Sequence, residues 1–322
     1  MPTRPTDTLS SAAGARPRVS VVIPCYNAAL FLAETIRSAL GQTCAPAEVI
    51  VVDDGSTDDS AKVARSFGPP VRLVCQPNQG ESVARNRGVE EAAGEWVAFL
   101  DADDVWEPNK LELQWRAAEN DPAVVCIYCA HYTFGRRSSR PPLPAPQACN
   151  VETLLLEPLI HVSTAMVQRS LPVRFPVWTR DSEDMIYFAE LAVHGRFAQV
   201  PLPLVGYRVH AAMQTRSPGH KVRSWTSRRA WLLRDDSPLD ATRRARLHEL
   251  LGRQLVDWIH HARWHRDWQT YWTLRELAAG LPWQEPVPAV LRERPYPRAV
   301  YAVRDQWRAI ASRFRRQELP QP

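Results

Sequence analysis

Apolar and polar positions alternate in a regular way along residues 19–210. Five short apolar runs rich in β-branched residues predict strands, and the stretches between them repeat apolar residues at helical spacing. Strands that alternate with helices in this way indicate an α/β fold whose central sheet is mostly parallel and carries helices on both faces. The predicted strands cover residues 19–24, 48–54, 71–75, 95–101 and 123–130.

Functional side chains stand at or just after the ends of three predicted strands. The carboxyl ends of parallel strands meet at one edge of a sheet, and ligands bind there, near the point where the strand order reverses. The sequence therefore predicts a binding site at this edge. The residues concerned are Pro24, Tyr26, Asp54, Asp101, Asp103 and Asp104.

Three of these residues are aspartates that lie within four positions of one another, in "LDADD". Their mutual repulsion is unfavourable unless a cation, water or donor groups compensate it. A structural explanation is that Asp104 caps a helix beginning near Glu107 and Pro108, but this accounts for one aspartate only. A divalent cation accounts for more, because Mg²⁺ or Mn²⁺ binds carboxylate oxygens and bridges to phosphates. Asp103, with Asp101 or Asp104, would then hold the metal against a nucleotide diphosphate.

The other residues at this edge suit the rest of a nucleotide. Tyr26 offers an aromatic face to a base, and Pro24 fixes the path of the chain before it. Asp54 is placed to accept a hydrogen bond from a base or a ribose, and Arg85, on the third predicted helix, can reach a phosphate. Together these residues predict a nucleotide-binding site.

Five motifs occur in order: "VSVVIPCYNAALFLAETIRSALGQT", "EVIVVDDGSTDDS", "NQGESVARNRGVEEAAGEWVAFLDADD", "SEDMIYFAEL" and "YRVH". In order and spacing they resemble family 2 glycosyltransferases of the GT-A fold, over about residues 19–210. The resemblance implies inverting transfer of a sugar from a nucleotide-diphosphate donor, with UDP-sugars foremost. The implied acceptor is a glycan or a lipid-linked molecule, in bacterial surface polysaccharide synthesis. The region from about residue 217 resembles no family.

The resemblance also implies roles for individual residues and a cofactor, Mn²⁺ or Mg²⁺. Asp184 in "SED" matches the catalytic base, which takes the proton of the acceptor hydroxyl. Glu183 and Arg208 match positions near the diphosphate or the acceptor. The nucleotide-binding positions fall on Pro24, Tyr26, Asp54, Arg85, Asp101 and Asp103, and the metal-binding positions on Asp103, Asp104 and His210.

Ordinary structural roles compete for several of these residues. Glu183 has a second explanation as an acid favoured at a helix start by the helix dipole. His210 has one as a structural histidine at a strand end. His161 and Ser163 either line an acceptor pocket or, as we favour, pack in the core.

Two other functional classes compete with sugar transfer. A sugar nucleotidyltransferase would use a similar sheet, but it needs a Gly-rich first loop with Arg or Lys to hold a triphosphate, and the loop here is "PCYNAALF". A non-catalytic nucleotide-sugar-binding protein would have no use for a base such as Asp184. Both remain alternatives to the transferase.

Composition and cysteine usage indicate a globular protein with reduced thiols. The chain has 322 residues, 45% of them hydrophobic, and can bury a large core. Cys126 and Cys129 form a C-x-x-C pair inside a predicted strand, without a second pair at zinc-site spacing, which favours buried thiols over a metal or redox site. No run of eighteen apolar residues appears, and the first residues lack the apolar centre of a signal peptide. We therefore expect a cytoplasmic protein.

Charge divides the chain into regions. Residues 211–322 carry 21 Lys and Arg against 11 Asp and Glu, and eight of the 12 Trp, whereas residues 1–210 are acidic overall. We therefore expect a flexible leader at 1–17, a catalytic domain at 18–215 and a basic, Trp-rich helical region at 216–322.

Two apolar stripes predict long helices in this last region. Such helices either make peripheral contact with the inner face of the plasma membrane or pack on the catalytic domain or on another copy of the chain. We favour packing, because the tryptophans are spread around the predicted helices. No nucleic-acid partner is expected, since no recognised module accompanies the charge. The stripes are Leu247, Leu251, Leu255, Trp258, Ile259 and Ala262, and Val300, Val303, Trp307 and Ile310.

Overall fold

The computed structural model of the chain describes residues 17–136, 138–139, 149–210, 219–281 and 288–292. The chain divides into two compact units, Met1–Arg216 and Ser217–Pro322, called here the first and the second unit. The expected flexible leader, apart from residue 17, and the stripe at 300–310 lie outside the described residues.

Strands and helices alternate through the first unit as the sequence predicts. Its helices are α1 Ala29–Leu40, α2 Ser60–Arg65, α3 Glu81–Glu91, α4 Lys110–Arg116, α5 Val151–Leu156 and α6 Glu183–Leu191. Its strands are β1 Val19–Cys25, β2 Glu48–Asp53, β3 Val71–Cys75, β4 Trp96–Phe99, β5 Val105–Trp106, β6 Val124–Gly135, β7 Met166–Gln168 and β8 Arg196–Val209. All five predicted strands are confirmed: β3 has the predicted ends, and the ends of the other four differ from the prediction by at most five residues.

The described strands form one sheet in the order β3-β2-β1-β4-β7-β6-β8-β5. The first four are parallel, β7 runs antiparallel to both of its neighbours, β6 and β8 are parallel, and β5 is antiparallel to β8. The α/β fold is therefore confirmed, and four of the seven pairs of neighbouring strands are parallel. The strand order reverses at β1, between β2 and β4, which is where ligands bind to sheets of this kind.

The core of the first unit explains its apolar strands. All seven residues of β1 are buried, because helices cover both faces of the parallel part of the sheet. Helix α3 lies so close to β1 that a Cβ atom on Gly88 would stand 2.2 Å from Cγ1 of Val22. This close approach needs a glycine, and it fixes the height of Arg85, one turn earlier, relative to the strand ends.

The second unit is helical in its described part. Its helices are α7 His220–Leu232, α8 Ala241–Trp264, α9 Trp268–Ala279 and α10 Ala289–Arg292. The first predicted stripe is confirmed on α8, where Trp258 is half-buried and the other five members are buried: Leu247, Leu251, Leu255, Ile259 and Ala262. Among the described helices, none combines the length and the apolar character that crossing a membrane requires.

Lys110 at the start of α4 is fully buried, and we expect it to make stability depend on pH. Its Nζ donates to Gln114 Oε1 at 2.7 Å and lies 3.9 Å from the centre of the Trp106 ring. Burial lowers the pKa of Lys110 from 10.5 to about 8. Between these values the unfolded chain binds more protons than the folded one, so this residue makes the free energy of unfolding rise with pH.

In Lys110→Met this rise, about 3 kcal/mol from pH 7 to pH 10.5, should disappear. Urea unfolding of both proteins across this range measures it, with Met at the exposed Lys62 of α2 as the matched control. Parallel pH curves for the parent and Lys110→Met would contradict the expectation.

Candidate functional site

The loops after β1 and β2 are joined by hydrogen bonds. The Asn27 side-chain oxygen accepts from the Thr57 N–H at 2.8 Å, and the Asn27 N–H donates to Ser56 Oγ at 3.0 Å. Asn27 has a positive φ of 50°, which places it in the left-handed region and turns the chain sharply after β1. Tyr26 consequently stands at the sheet edge with 52% of its surface exposed, free to offer its ring to a planar group. Pro24 is buried within β1.

Asp54 is buried and organises the loop before α3. Its carboxylate accepts three hydrogen bonds, from the Gln76 side chain at 2.8 Å, the Gln79 N–H at 2.9 Å and the Gly80 N–H at 2.8 Å. These bonds place the start of α3 beside the end of β2. The role of Asp54 as a nucleotide ligand stays a prediction.

Arg85 joins the strand-end aspartates to α6. It is buried, donates to Asp101 Oδ1 at 3.0 Å and to Glu81, and its Nη1 lies 3.9 Å from Glu183 Oε1. Burial alone would raise the pKa of Asp101, but the positive charge of Arg85 holds it below the ordinary value. Nε and Nη1 of Arg85 have no hydrogen-bond partner within the described part of the chain. Two buried donors are thus available to a ligand oxygen.

The first turn of α6 carries two acids with altered proton affinity. Burial, and then the negative charge of Asp184, raises the pKa of Glu183 to about 7. Burial also raises the pKa of Asp184, whose Oδ1 accepts from the Met185 N–H at 2.8 Å. A carboxylate with a raised pKa is a stronger proton acceptor, so this turn supplies candidates for a general base.

Asp103 and His210 form a pair at the surface of the site. Asp103 Oδ2 lies 2.7 Å from His210 Nε2, and the side chains are 33% and 23% exposed. Arg208 holds this pair in place, because its Nε donates to the Asp103 carbonyl at 2.7 Å. The guanidinium of Arg208 lies between the rings of Phe31 and Phe134, at 4.8 and 4.4 Å. Both side chains of the pair are therefore held in place and partly accessible to solvent.

Asp104 is fully buried, and its carboxylate links two other segments of the chain by hydrogen bonds. Its Oδ2 accepts from Ser163 Oγ at 2.7 Å, and its Oδ1 accepts from the Arg208 N–H at 3.0 Å. The alternative that Asp104 caps a helix is wrong, because α4 begins at Lys110 after Asn109 and the Asp104 carboxylate bonds elsewhere. Ser163 is buried in the core, as favoured from the sequence, and accepts from the Asp101 N–H at 3.0 Å.

Two sets of side chains have the chemistry of a divalent-cation site. Ligand atoms of Asp101, Asp104 and His161 lie within 4.8 Å of one another, but Asp101 is paired with Arg85 and Asp104 already has two donors. The Asp103–His210 pair is more accessible and offers a carboxylate and an imidazole. Both groups are ligands that Mn²⁺ accepts, and the carboxylate is one that Mg²⁺ prefers, so the donor set fits the expected metals.

Three residues that the sequence did not single out help to build the site. Glu81 faces Arg85 from one turn away, and its spacing of four residues was a detectable signal. Asn86 clasps Phe175, with its side-chain amide donating to the Phe175 carbonyl at 2.8 Å and its oxygen accepting from the Phe175 N–H at 2.8 Å. The Phe175 ring stacks on Tyr187 of α6 at 3.8 Å. No local pattern predicts this contact, because 89 residues separate Asn86 from Phe175.

The chain is similar in sequence to glycosyltransferases. Residues 20–171 match the family described as Glycosyl transferase family 2. An uncharacterized glycosyltransferase of Rickettsia prowazekii, RP339, is 32% identical over 213 residues, which cover 62% of this chain and 66% of that protein. Matches to three other curated relatives cover 31–50% of their length, so the chain spans less than two thirds of these relatives.

Two solved structures share the fold. The Staphylococcus aureus TarS structure of residues 1–349 with UDP-GlcNAc matches with a TM-score of 0.55 and 21% identity, over 74% of this chain and 71% of that one. The mannosyltransferase PcManGT of Pyrobaculum calidifontis, in complex with GDP-Man and Mn²⁺, matches with a TM-score of 0.54 and 18% identity, over 94% and 84% of the chains. At these identities the likeness establishes the fold.

Proposed function

Residues 20–171 belong to glycosyl transferase family 2, and from this premise and the GT-A fold we propose that the protein is an inverting sugar transferase. The proposed donor is a nucleotide-diphosphate sugar, with a UDP-sugar first. The proposed acceptor is a glycan or a lipid-linked molecule, and the proposed role is in bacterial surface polysaccharide synthesis. The TarS structure is a complex with UDP-GlcNAc and the PcManGT structure is a complex with GDP-Man, which supports the donor class.

One observation carries the proposal: a single buried arginine connects the two halves of the site. Arg85 contacts Asp101 at the end of β4 and faces Glu183 at the start of α6. Asp54 continues the connection on the other side, through the Gly80 N–H at the start of α3. The nucleotide edge and the helix turn that carries the candidate base therefore lie close to the same buried cation, as transfer from a bound donor requires.

We assign the proton transfer to Asp184. An inverting transfer needs a base that takes the acceptor hydroxyl proton on the face of the sugar opposite to the leaving diphosphate. Asp184 stands on the rigid first turn of α6, and burial favours its acceptance of a proton. Arg85, through Nε and Nη1, which donate no hydrogen bond to the described part of the chain, is the group we expect to donate to a ribose or phosphate oxygen.

We assign the metal to Asp103 and His210, with Mn²⁺ or Mg²⁺ as the cofactor. When bound, such an ion neutralises the charge that gathers on the departing diphosphate. Arg208 positions the pair through the Asp103 carbonyl. Asp104 as a third metal ligand stays a prediction. Independently of the metal, its hydrogen bonds with Ser163 and Arg208 give it a positioning role.

Release of nucleoside diphosphate from a panel of UDP-, GDP- and dTDP-sugars tests the proposal. We expect turnover with Mn²⁺ or Mg²⁺, fastest with a UDP-sugar, and a loss of about 100-fold or more in chelator that added metal reverses. Donor binding without any release would instead indicate a non-catalytic nucleotide-sugar-binding protein. Release of pyrophosphate from a nucleoside triphosphate with a sugar phosphate would indicate a nucleotidyltransferase.

A further inference from the structure

Helix α8 of the second unit ends in an exposed indole. The apolar side of the helix is buried, and the opposite side is charged along its length until Trp264, which is 84% exposed. The exposed residues of this opposite side before Trp264 are Arg246, Glu249, Arg253, Asp257 and His260, four of them acidic or basic residues and one a histidine. The other exposed residues on this side of α8 are polar, so Trp264 departs from the pattern of the side on which it lies.

The exposure of Trp264 is not a general property of the tryptophans in this unit. Trp225 and Trp231 are buried, and Trp225 donates through Nε1 to the Leu251 carbonyl at 2.8 Å. Trp258, Trp268 and Trp272 are half-buried. Packing within the unit thus buries, wholly or in part, five of the six tryptophans described in this part of the chain. The ring of Trp264 is left exposed to water, with an apolar surface of about 200 Å².

Cationic and titratable side chains surround this indole at the turn between α8 and α9. We call residues 261–266 the α8–α9 corner. Arg263, His265 and Arg266 are exposed on it, and the His261 and His265 rings lie 4.2 Å apart. Residues 261–266 contain two arginines and no acid, and the next residue, Asp267, caps α9 by accepting from the Thr270 N–H at 3.1 Å. The corner therefore presents an aromatic ring within a positively charged setting.

We propose that the α8–α9 corner docks on an anionic lipid surface. Indole rings favour the boundary between headgroups and acyl chains, and arginines are attracted to lipid phosphates. Docking occurs through the corner rather than along the helix, because the apolar side of α8 is already buried in its own unit. This inference is independent of the proposed sugar transfer.

A second copy of the chain is a poorer occupant of the same surface. A stable dimer buries about 800 Å² on each partner, roughly four times the area that the indole offers. A lipid surface needs no such complementary area, because a weak apolar anchor combined with cationic side chains gives reversible binding to anionic headgroups. The basic balance of residues 211–322 adds to the attraction.

Flotation of the full chain with lipid vesicles tests the proposal. We expect binding to vesicles of phosphatidylcholine with 30% phosphatidylglycerol and little binding to phosphatidylcholine alone. Trp264→Ser should lower the partition coefficient about tenfold, since the anchor is lost. In the double variant with Arg263→Gln and Arg266→Gln, the loss of each arginine should lower the partition coefficient about fivefold. Leu233→Ser, at the exposed Leu233 near the end of α7, is the matched control and should bind as the parent does.

Circular dichroism and sedimentation velocity on the same variants separate folding and self-association from lipid binding. The proposal is overturned if the parent chain does not bind anionic vesicles, or if Trp264→Ser binds them as strongly as the parent does. It is also overturned if Trp264→Ser converts a dimer to a monomer without changing flotation, which would assign the corner to a second copy. Donor hydrolysis in solution should be the same for all these variants.

Discussion

Replacing Asp184 with Asn is expected to slow sugar transfer about 10³-fold and to leave binding of the nucleoside diphosphate unchanged. Asn keeps the size and shape of the side chain but cannot accept the acceptor hydroxyl proton, and general-base catalysis typically contributes 10²- to 10⁴-fold. The contacts that tie Arg85 to Asp101 do not involve Asp184, so the nucleotide edge keeps its geometry. Transfer kinetics give the loss in kcat, and calorimetry with UDP and Mn²⁺ gives the affinity.

Glu183→Gln is the matched control for this experiment. Glu183 is the neighbouring acid, and its pKa is raised to about 7 by burial and by Asp184, so its protonation state alone does not separate the two candidates. We expect a loss of about tenfold or less, because Glu183 faces Arg85 and we propose Asp184 as the group that accepts the proton. A larger loss in Glu183→Gln than in Asp184→Asn would assign the base to Glu183. Equal losses of UDP affinity and of transfer in Asp184→Asn would remove the base assignment.

The parallel half of the sheet was predictable because its signal is local. Strands buried on both faces must be apolar at nearly every position, and β1 and β2 show this as continuous runs. The stripe on α8 was predictable for a similar reason, since one buried helix face repeats every three or four residues. In these elements the sequence pattern and the burial pattern carry the same information.

The other half of the sheet depends on contacts between distant residues. Strand β7 has three residues and β5 has two, which is too short for a periodic signal. Each is held by its neighbours, β7 between β4 and β6, and β5 along β8. The antiparallel insertion of β7 is therefore a property of the assembled sheet, and no local run of residues encodes it.

The candidate site shows the same division. Sequence grouped Asp101, Asp103 and Asp104 as one acidic cluster, which correctly anticipates that they lie together. Only the fold gives them different partners: Asp101 faces Arg85, Asp103 faces His210, and Asp104 is buried against Ser163. These partners come from α3, from the residue after β8 and from the turn before β7, so the differences among the three acids could not be read from their spacing.

Because Asp103 is the one of these three acids that we assign to the metal with His210, we expect the substitution Asp103→Asn to have a large effect on activity. We expect donor turnover to fall about 10²- to 10³-fold, because the substitution removes the accessible carboxylate that we assign to the metal. The Mn²⁺ concentration needed for half-maximal activity should also rise. Binding of UDP without metal should be unchanged, since the backbone carbonyl of Asp103 still accepts from Arg208. Mn²⁺ titrations of nucleoside diphosphate release, with and without chelator, measure both effects.

Asp121→Asn provides the matched control for Asp103→Asn. Asp121 has the same exposed fraction as Asp103, 33%, and it is paired with Arg196 near the opposite ends of β6 and β8. The two variants remove the same charge from the first unit, so a shared effect of net charge would lower both activities equally. If only Asp103→Asn loses turnover and its metal requirement rises, the loss belongs to the metal position. Full activity of Asp103→Asn in chelator would instead show that the Asp103–His210 pair is a structural contact.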